Sequence, residues 1–185
     1  LFPNKELAEI ANKLLTENPV LSLQYGVTEG YAPLKEKIKE MLIEKENISF
    51  EGNDIMITSG GQQGIELITK ALVNEGDTVI VEEPSFIGAT NAFRSYNAKL
   101  VGVPVEKDGI SPEALEKVIA ENENIKILYV IPTFQNPSGE TMSLEKRKAV
   151  LEIAKKNNIL VIEDNPYGEL TFDGNKIPTI KSMDD

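Results

Sequence analysis

Four short segments carry polar side chains at spacings suited to chemistry. Glu163-Asp164-Asn165-Pro166-Tyr167-Gly168 follows an apolar run and sets a carboxylate where a strand would end. A carboxylate there can hold a cation, a metal or a protonated ring nitrogen, and Pro166 fixes the turn presenting Tyr167. An acidic surface loop would read the same way in a chain with 30 Asp plus Glu. Thr58-Ser59-Gly60-Gly61-Gln62-Gln63-Gly64 leads into a helical pattern. Its glycines let backbone approach a ligand, and the helix start offers unpaired N–H groups and a positive dipole end. That suits a phosphate, and equally a plain tight turn; the segment matches neither the Walker A pattern nor G-x-G-x-x-G. Pro132-Thr133-Phe134-Gln135-Asn136-Pro137-Ser138-Gly139 puts two amide side chains beside a turn, aimed at a ligand or at the loop's own backbone. Glu82-Glu83-Pro84-Ser85-Phe86 has a similar shape, with Phe86 either core or a stacking platform.

Composition narrows the chemistry further. The chain of 185 residues has no His and no Cys. A Ser-His-Asp triad, an imidazole base, a thiolate nucleophile, a zinc knuckle and a disulfide framework are all excluded, and no metal site is assigned. Catalysis must then run through carboxylates, Lys, Tyr, backbone amides or a borrowed cofactor. With 19 Lys plus Arg the net charge is −11. No basic stripe tracks a phosphate backbone, so nucleic acid is not an expected partner. No apolar run approaches the roughly 20 residues that span a bilayer, so no membrane partner is expected either. Neither a signal peptide nor an initiator Met opens the sequence, and both ends look cut. The expectation is a cytoplasmic protein, represented here by part of its chain.

The elements that must position these segments follow from periodicity. Residues 4–17 read as an amphipathic helix with Leu7, Ile10, Ala11, Leu14 and Leu15 on one stripe. Residues 18–31 hold too many breakers and read as an extended loop. A second helix starts near Ala32, with Leu34, Ile38, Met41 and Leu42 on one face. From Ile55 short apolar runs alternate with helical periods. Strands are predicted at 55–58, 78–81, 99–103, 125–131 and 159–162. Helices are predicted at 62–73, 86–96, 111–121 and 143–156. Ser111-Pro112-Glu113 supplies a cap, an N1 proline and an early acid. Near-continuous Val/Ile/Leu strands separated by helices predict an α/β class: a mostly parallel sheet covered on both faces. Residues 1–50 then form an N-terminal segment outside the sheet, and 51–185 the sheet domain. In such a sheet ligands gather beyond the carboxyl ends of the strands, where all four segments lie.

Taken in order, these segments resemble class I/II aminotransferases, the fold type I pyridoxal 5'-phosphate (PLP) enzymes, and within them the aminoadipate/kynurenine-like broad-specificity branch. The resemblance runs from about Leu21 to Asp185. Its carriers include Leu23-Gln24-Tyr25-Gly26 and Thr28-Glu29-Gly30-Tyr31, together with Ser59 to Gly64, Glu83 to Phe86, Gln135 to Gly139 and Glu163 to Tyr167. It implies a three-layer α/β/α PLP-transferase-like large domain, truncated before its last strands. Gly60, Gly61 and Gln62 would hold the PLP phosphate, and Phe86 would stack on the pyridine ring. Asn136 and Tyr167 would hydrogen-bond the ring's phenolic oxygen. Asp164 would keep the pyridine nitrogen protonated, so the ring can accept electrons from the substrate's α-carbon. Tyr25 would reach a cofactor or substrate site, commonly that of the partner subunit in a homodimer, and Asn136 would also face substrate. The small-molecule partners implied are an amino acid and a 2-oxo acid.

The resemblance also implies what lies elsewhere. The lysine that binds PLP as a Schiff base would fall past Asp185, as would the arginine that grips the substrate carboxylate. The 185 residues alone are then expected to be inactive. Ser143-Leu144-Glu145-Lys146 is the one Ser-x-x-Lys here, read as a helix cap followed by a solvated lysine. Arg94 is read as surface. The 55–58 strand would lack a neighbour, leaving an isolated chain marginal or rearranged, with an exposed edge at 159–162. A second reading is the effector-sensing, aminotransferase-like domain of a GntR-type transcription regulator. Asn136 and the Leu-Gln-Tyr segment favour the enzyme.

Overall fold

The computed structural model describes residues 2–171 and 174–184. Three helices come first: α1 (Asn4–Glu17), α2 (Pro19–Leu23) and α3 (Ala32–Glu46). None of them buries a residue fully. The apolar stripe of α1 is present as the spacing predicts, but Leu7, Ile10, Leu14 and Leu15 face outward. The 18–31 segment differs from the expected extended loop. Pro19, preorganised for a first helical turn, starts the short α2, and only the residues beyond it are irregular. The α3 helix ends at Asn47, whose φ of 54° is the left-handed stop that Asn tolerates.

The α/β region runs α4 (Gly61–Leu72), β1 (Thr78–Glu83), α5 (Ile87–Ser95), β2 (Lys99–Glu106), β3 (Gly109–Ile110), α6 (Pro112–Glu121), β4 (Ile125–Val130), α7 (Leu144–Asn157) and β5 (Leu160–Glu163). The sheet order is β3-β2-β1-β4-β5. The pairs β1–β2, β1–β4 and β4–β5 are parallel. The two-residue β3 folds back antiparallel on β2, placing Val105 against Ile110. Its brevity hides it from any periodicity argument.

Alternation along the strands divides the core between the two faces. Ile80, Leu128 and Val130 pack with Leu115, Val150, Leu151 and Ala154 of α6 and α7. Val79, Val81, Ile127 and Tyr129 pack with Ile65, Ala89 and Phe93 of α4 and α5. The result is the expected three-layer α/β/α arrangement. Ser111 and Ser143 both cap as the sequence predicts, accepting from the Ala114 and Lys146 backbone N–H groups at 3.3 and 3.4 Å.

Two further sequence readings are corrected. Ile55–Thr58 is not a strand: no described strand lies beside it, and Ile57 donates its N–H to the Glu29 carbonyl at 3.0 Å instead. Gly30, at φ +107°, lies so close against Ile57 that a Cβ would collide with it. Lys146 is not solvated either. Its ammonium lies 2.5 Å from Glu106 and 2.7 Å from Asp108, and it donates to the Gly109 carbonyl at 3.2 Å. The β2–β3 turn thus encloses it and is tied to the start of α7. The edge expected at 159–162 is present: β5 pairs with β4 alone among the described strands, and Leu160 is exposed.

Candidate functional site

The carboxyl ends of β1, β4 and β5 open on the same side, because all three strands are parallel and adjacent. Asp164 is the first residue beyond β5. Its backbone N–H continues the ladder to the Val130 carbonyl at 2.9 Å, and its Oδ2 accepts the Tyr129 hydroxyl at 2.6 Å. Tyr129 is itself buried in β4, packed edge-on against Phe93 with ring centroids 5.8 Å apart. Its phenol is pushed well above the ordinary value. Burial is the main cause, followed by the bond and charge of Asp164 and the nearby Glu82 and Tyr167. These groups therefore share one electrostatic neighbourhood. Tyr167 is half-buried in the turn that Pro166 introduces.

The turn bearing Asn136 is built by its neighbour. Gln135 is 3% exposed. Its Nε2 donates to Glu82 Oε2 at 3.2 Å and to the Pro84 carbonyl at 2.7 Å, while its Oε1 accepts the Ser138 N–H at 2.8 Å. Of the two amide side chains, then, Gln135 serves loop backbone. Asn136 is half-buried, and the Asn136–Pro137 bond is cis, as is Glu83–Pro84. Glu82 is 2% exposed and also accepts the Ile131 N–H at 3.0 Å.

At the start of α4, Gly60 has φ +86°, and Cβ atoms added at Gly60 or Gly61 would meet nothing within 4 Å. The first-turn N–H groups of a helix have no intrahelical acceptors. Gln62 reaches across with its Nε2 to the Gly88 carbonyl at 3.1 Å. Gly88 in turn lies under Phe86: a Cβ there would come within 2.5 Å of the Phe86 ring and 2.7 Å of Gln62 Oε1. Gly60, Gly61, Gln62 and Phe86 are thus held together as one corner of the site. Two buried polar atoms, Ser85 Oγ next to Phe86 and Asn165 Oδ1 against Gly168, have no hydrogen-bond partner. Tyr25 stands apart, fully exposed in the segment after α2.

Sequence reasoning missed two residues that shape these loops. Tyr129 sits in a mostly aliphatic strand and looks like core; a lone phenol next to a strand end was the available signal. Arg147 is 1% exposed on the buried face of α7. It donates to the carbonyls of Pro132, Met142 and Pro178 and to Thr133 Oγ1, at 2.9 to 3.1 Å. Its signal was a position in register with Val150, Leu151 and Ala154. Arg94, by contrast, is exposed as read, donating to Thr90 Oγ1 at 3.3 Å.

A mostly parallel sheet between helical layers, with a hydroxyl-bonded carboxylate and glycine-opened helix start at its carboxyl ends, defines an α/β/α domain of the PLP-transferase type. The chain belongs to the aminotransferase class I and II family, whose sequence model matches residues 5–185. It is 39% identical over 188 residues to "Aromatic-amino-acid aminotransferase 1" of Thermococcus litoralis, covering 100% of this chain and 45% of that protein. The crystal structure of kynurenine aminotransferase from Pyrococcus horikoshii, solved with PMP, superposes with a TM-score of 0.95 at 39% identity. That match covers 100% of this chain and 46% of the other. The alpha-aminoadipate aminotransferase of Thermus thermophilus, complexed with N-(5'-phosphopyridoxyl)-L-leucine, superposes at 0.88 with 35% identity, covering 98% of this chain and 45% of the other. The chain thus spans about half the length of the relatives it matches.

Proposed function

We propose that this chain supplies the cofactor-lining part of a PLP-dependent aminotransferase that moves an amino group between an amino acid and a 2-oxo acid. The observation that carries the reading is Asp164, held beyond β5 by the Tyr129 hydroxyl at 2.6 Å. The residues present fit the cofactor's chemistry. Gly60 and Gly61 leave open space beside unpaired helix-start amides, which suits a phosphate. The orphaned Ser85 Oγ, next to Phe86, provides a buried polar atom in need of a partner.

In this reading the amides of Gly60, Gly61 and Gln62 bind the phosphate, and Phe86 covers one face of the pyridine ring. Asp164 holds a proton on the ring nitrogen, a role open to a carboxylate and closed to a neutral amide. Asn136 and Tyr167 hydrogen-bond the phenolic oxygen and so fix the ring's rotation about its axis, with Asn136 also facing substrate. The bound cofactor supplies an electron-accepting ring for the amino acid's α-carbon. Tyr25, exposed here, would serve the partner subunit of a homodimer. The lysine anchor is not assigned to any residue of this chain.

The test is a PLP absorbance titration of the full-length gene product, followed by assay of amino-acid-dependent consumption of a 2-oxo acid. Saturable binding that Asp164→Ala weakens by at least tenfold is expected. Absence of saturable binding, or binding indifferent to Asp164→Ala, would overturn the assignment.

A further inference from the structure

Beyond the residues assigned to touch the cofactor, the carboxyl ends of β1 and β4 hold a buried hydrogen-bond cluster that none of those roles uses. The two strands pair as far as Val81 and Tyr129. Where the next rung would be, the Ile131 N–H finds the Glu82 side chain at 3.0 Å rather than a backbone carbonyl. The Glu82 side chain thus continues the link between the two strands by one hydrogen bond. Gln135 meets it there, and every polar group of Gln135 is committed. Its N–H donates to the Glu140 carbonyl at 2.8 Å, and its own carbonyl accepts the Gly139 N–H at 2.6 Å. Its side-chain oxygen holds the Ser138 N–H, and its amide nitrogen bridges Glu82 and the Pro84 carbonyl. One side chain thus ties three places: the end of β1, the loop leading to Phe86 and the turn bearing Asn136.

We propose that Glu82 and Gln135 are positioning residues: their buried clamp fixes the Phe86 loop against the Asn136 turn, and thereby sets the spacing between the ring-stacking and ring-bonding side chains. The consequence for cofactor binding rests on the function proposed above; the mechanical clamp does not. Neither residue needs to touch cofactor or substrate. The donors reaching Glu82, the Ile131 N–H and the Gln135 amide, are both uncharged. Across β4, Tyr129 lies within the field of both Glu82 and Asp164. A satisfied buried polar network rigidifies what it joins, and here Glu82 Oε2 accepts both donors while Gln135 uses all of its polar groups.

The clamp is tested in the full-length gene product with Gln135→Leu, Glu82→Leu and the conservative Glu82→Gln. Amide hydrogen exchange is read at Phe134 and Gly139, whose own acceptors the substitutions leave in place, and PLP affinity is measured by absorbance titration. Gln135→Leu and Glu82→Leu should speed exchange at both amides and weaken PLP binding, each by tenfold or more. Glu82→Gln, whose oxygen can still accept both donors, should stay within about threefold of wild type. Should Glu82→Leu fail to fold, Gln135→Asn, one methylene too short for the bridge, replaces it and should show the same loss. Exchange and affinity within twofold of wild type in Gln135→Leu would overturn the clamp. Faster exchange in a protein whose wild type binds no PLP would uphold the clamp and overturn the function instead.

Discussion

The Tyr129 hydroxyl and the Asp164 carboxylate, on neighbouring parallel strands, are joined by a 2.6 Å hydrogen bond. The bond runs sideways across the sheet, from a buried residue within β4 to the first residue beyond β5. It fixes Asp164 through Oδ2; among the described residues no hydrogen bond to its Oδ1 is present. Packing supports the arrangement from below, since the Phe93 ring meets Tyr129 edge-on at 69°.

Tyr129→Phe deletes the donor and keeps the ring. A hydrogen bond to a charged group contributes about 1.5–3 kcal/mol. PLP affinity of the full-length gene product should fall by roughly tenfold, as about 1.4 kcal/mol corresponds to each decade. The unfolding midpoint should fall as well, by no more than that one bond is worth, because the edge-on contact with Phe93 survives. A variant that binds PLP like wild type would show that Tyr129 serves the core alone.

How much of this was legible in the sequence depends on the range of the interaction. Ser111 and Ser143 act within three residues of themselves, so their caps could be read directly. The mostly parallel sheet followed from near-continuous Val/Ile/Leu strands between helices. Asp164 stood out because local grammar marks a strand end. Lys146 was misread because its partners, Glu106 and Asp108, lie about forty residues away on a turn that periodicity does not reveal. Tyr129 and Arg147 were missed for the same reason: a polar tip on an apolar body is indistinguishable from core until the fold shows what it reaches. Ile55–Thr58 has the composition of a strand, but a strand needs a neighbour, and composition does not supply one.

Glu82 makes stability depend on pH. Burial pushes its carboxyl up to about 7 from an ordinary 4.5, against the lowering effect of its bonds to Ile131 and Gln135. Between those values the folded chain holds a proton that the unfolded chain has released. The folded state therefore binds more protons, and stability falls as pH rises through this window. At about 1.4 kcal/mol per pH unit the loss is on the order of 3 kcal/mol. Glu82→Gln has no such proton to lose. Urea unfolding should show the variant gaining on wild type by about that amount between pH 5 and pH 8. A difference that stays flat across the range would mean that Glu82 does not titrate there.

Ser111→Ala removes the side chain that accepts the Ala114 N–H at the start of α6, a helix already favoured by Pro112 and Glu113. Because Ser111 is buried, water cannot fully replace the lost acceptor. A cost of about 1 kcal/mol is expected. The same measurement on Ser143→Ala should give a similar value, since the α7 cap also accepts the N–H three residues on; the two costs should add, the sites being on different helices with no shared partner.

Arg147 carries the largest predicted cost. Its guanidinium spreads four hydrogen bonds over Pro132, Thr133, Met142 and Pro178, so a single side chain binds both ends of the 132–142 loop and the segment that follows β5. Burial pulls its pKa below the ordinary arginine value, while the charges of Glu163 and Glu46 act in the opposite direction. Arg147→Leu removes the donors and leaves buried carbonyls with fewer partners, so a loss of about 3 kcal/mol or more is expected. Arg147→Lys keeps the charge, but a compact ammonium cannot reproduce the planar fork that reaches all four acceptors. It should recover only part of the loss. Urea unfolding orders the variants: wild type above Arg147→Lys above Arg147→Leu. If Lys and Leu are equally destabilising, the fork geometry carries all of the effect and the charge none. If Leu is as stable as wild type, the guanidinium does not anchor the loop, and the turn bearing Asn136 is held from the Gln135 side alone.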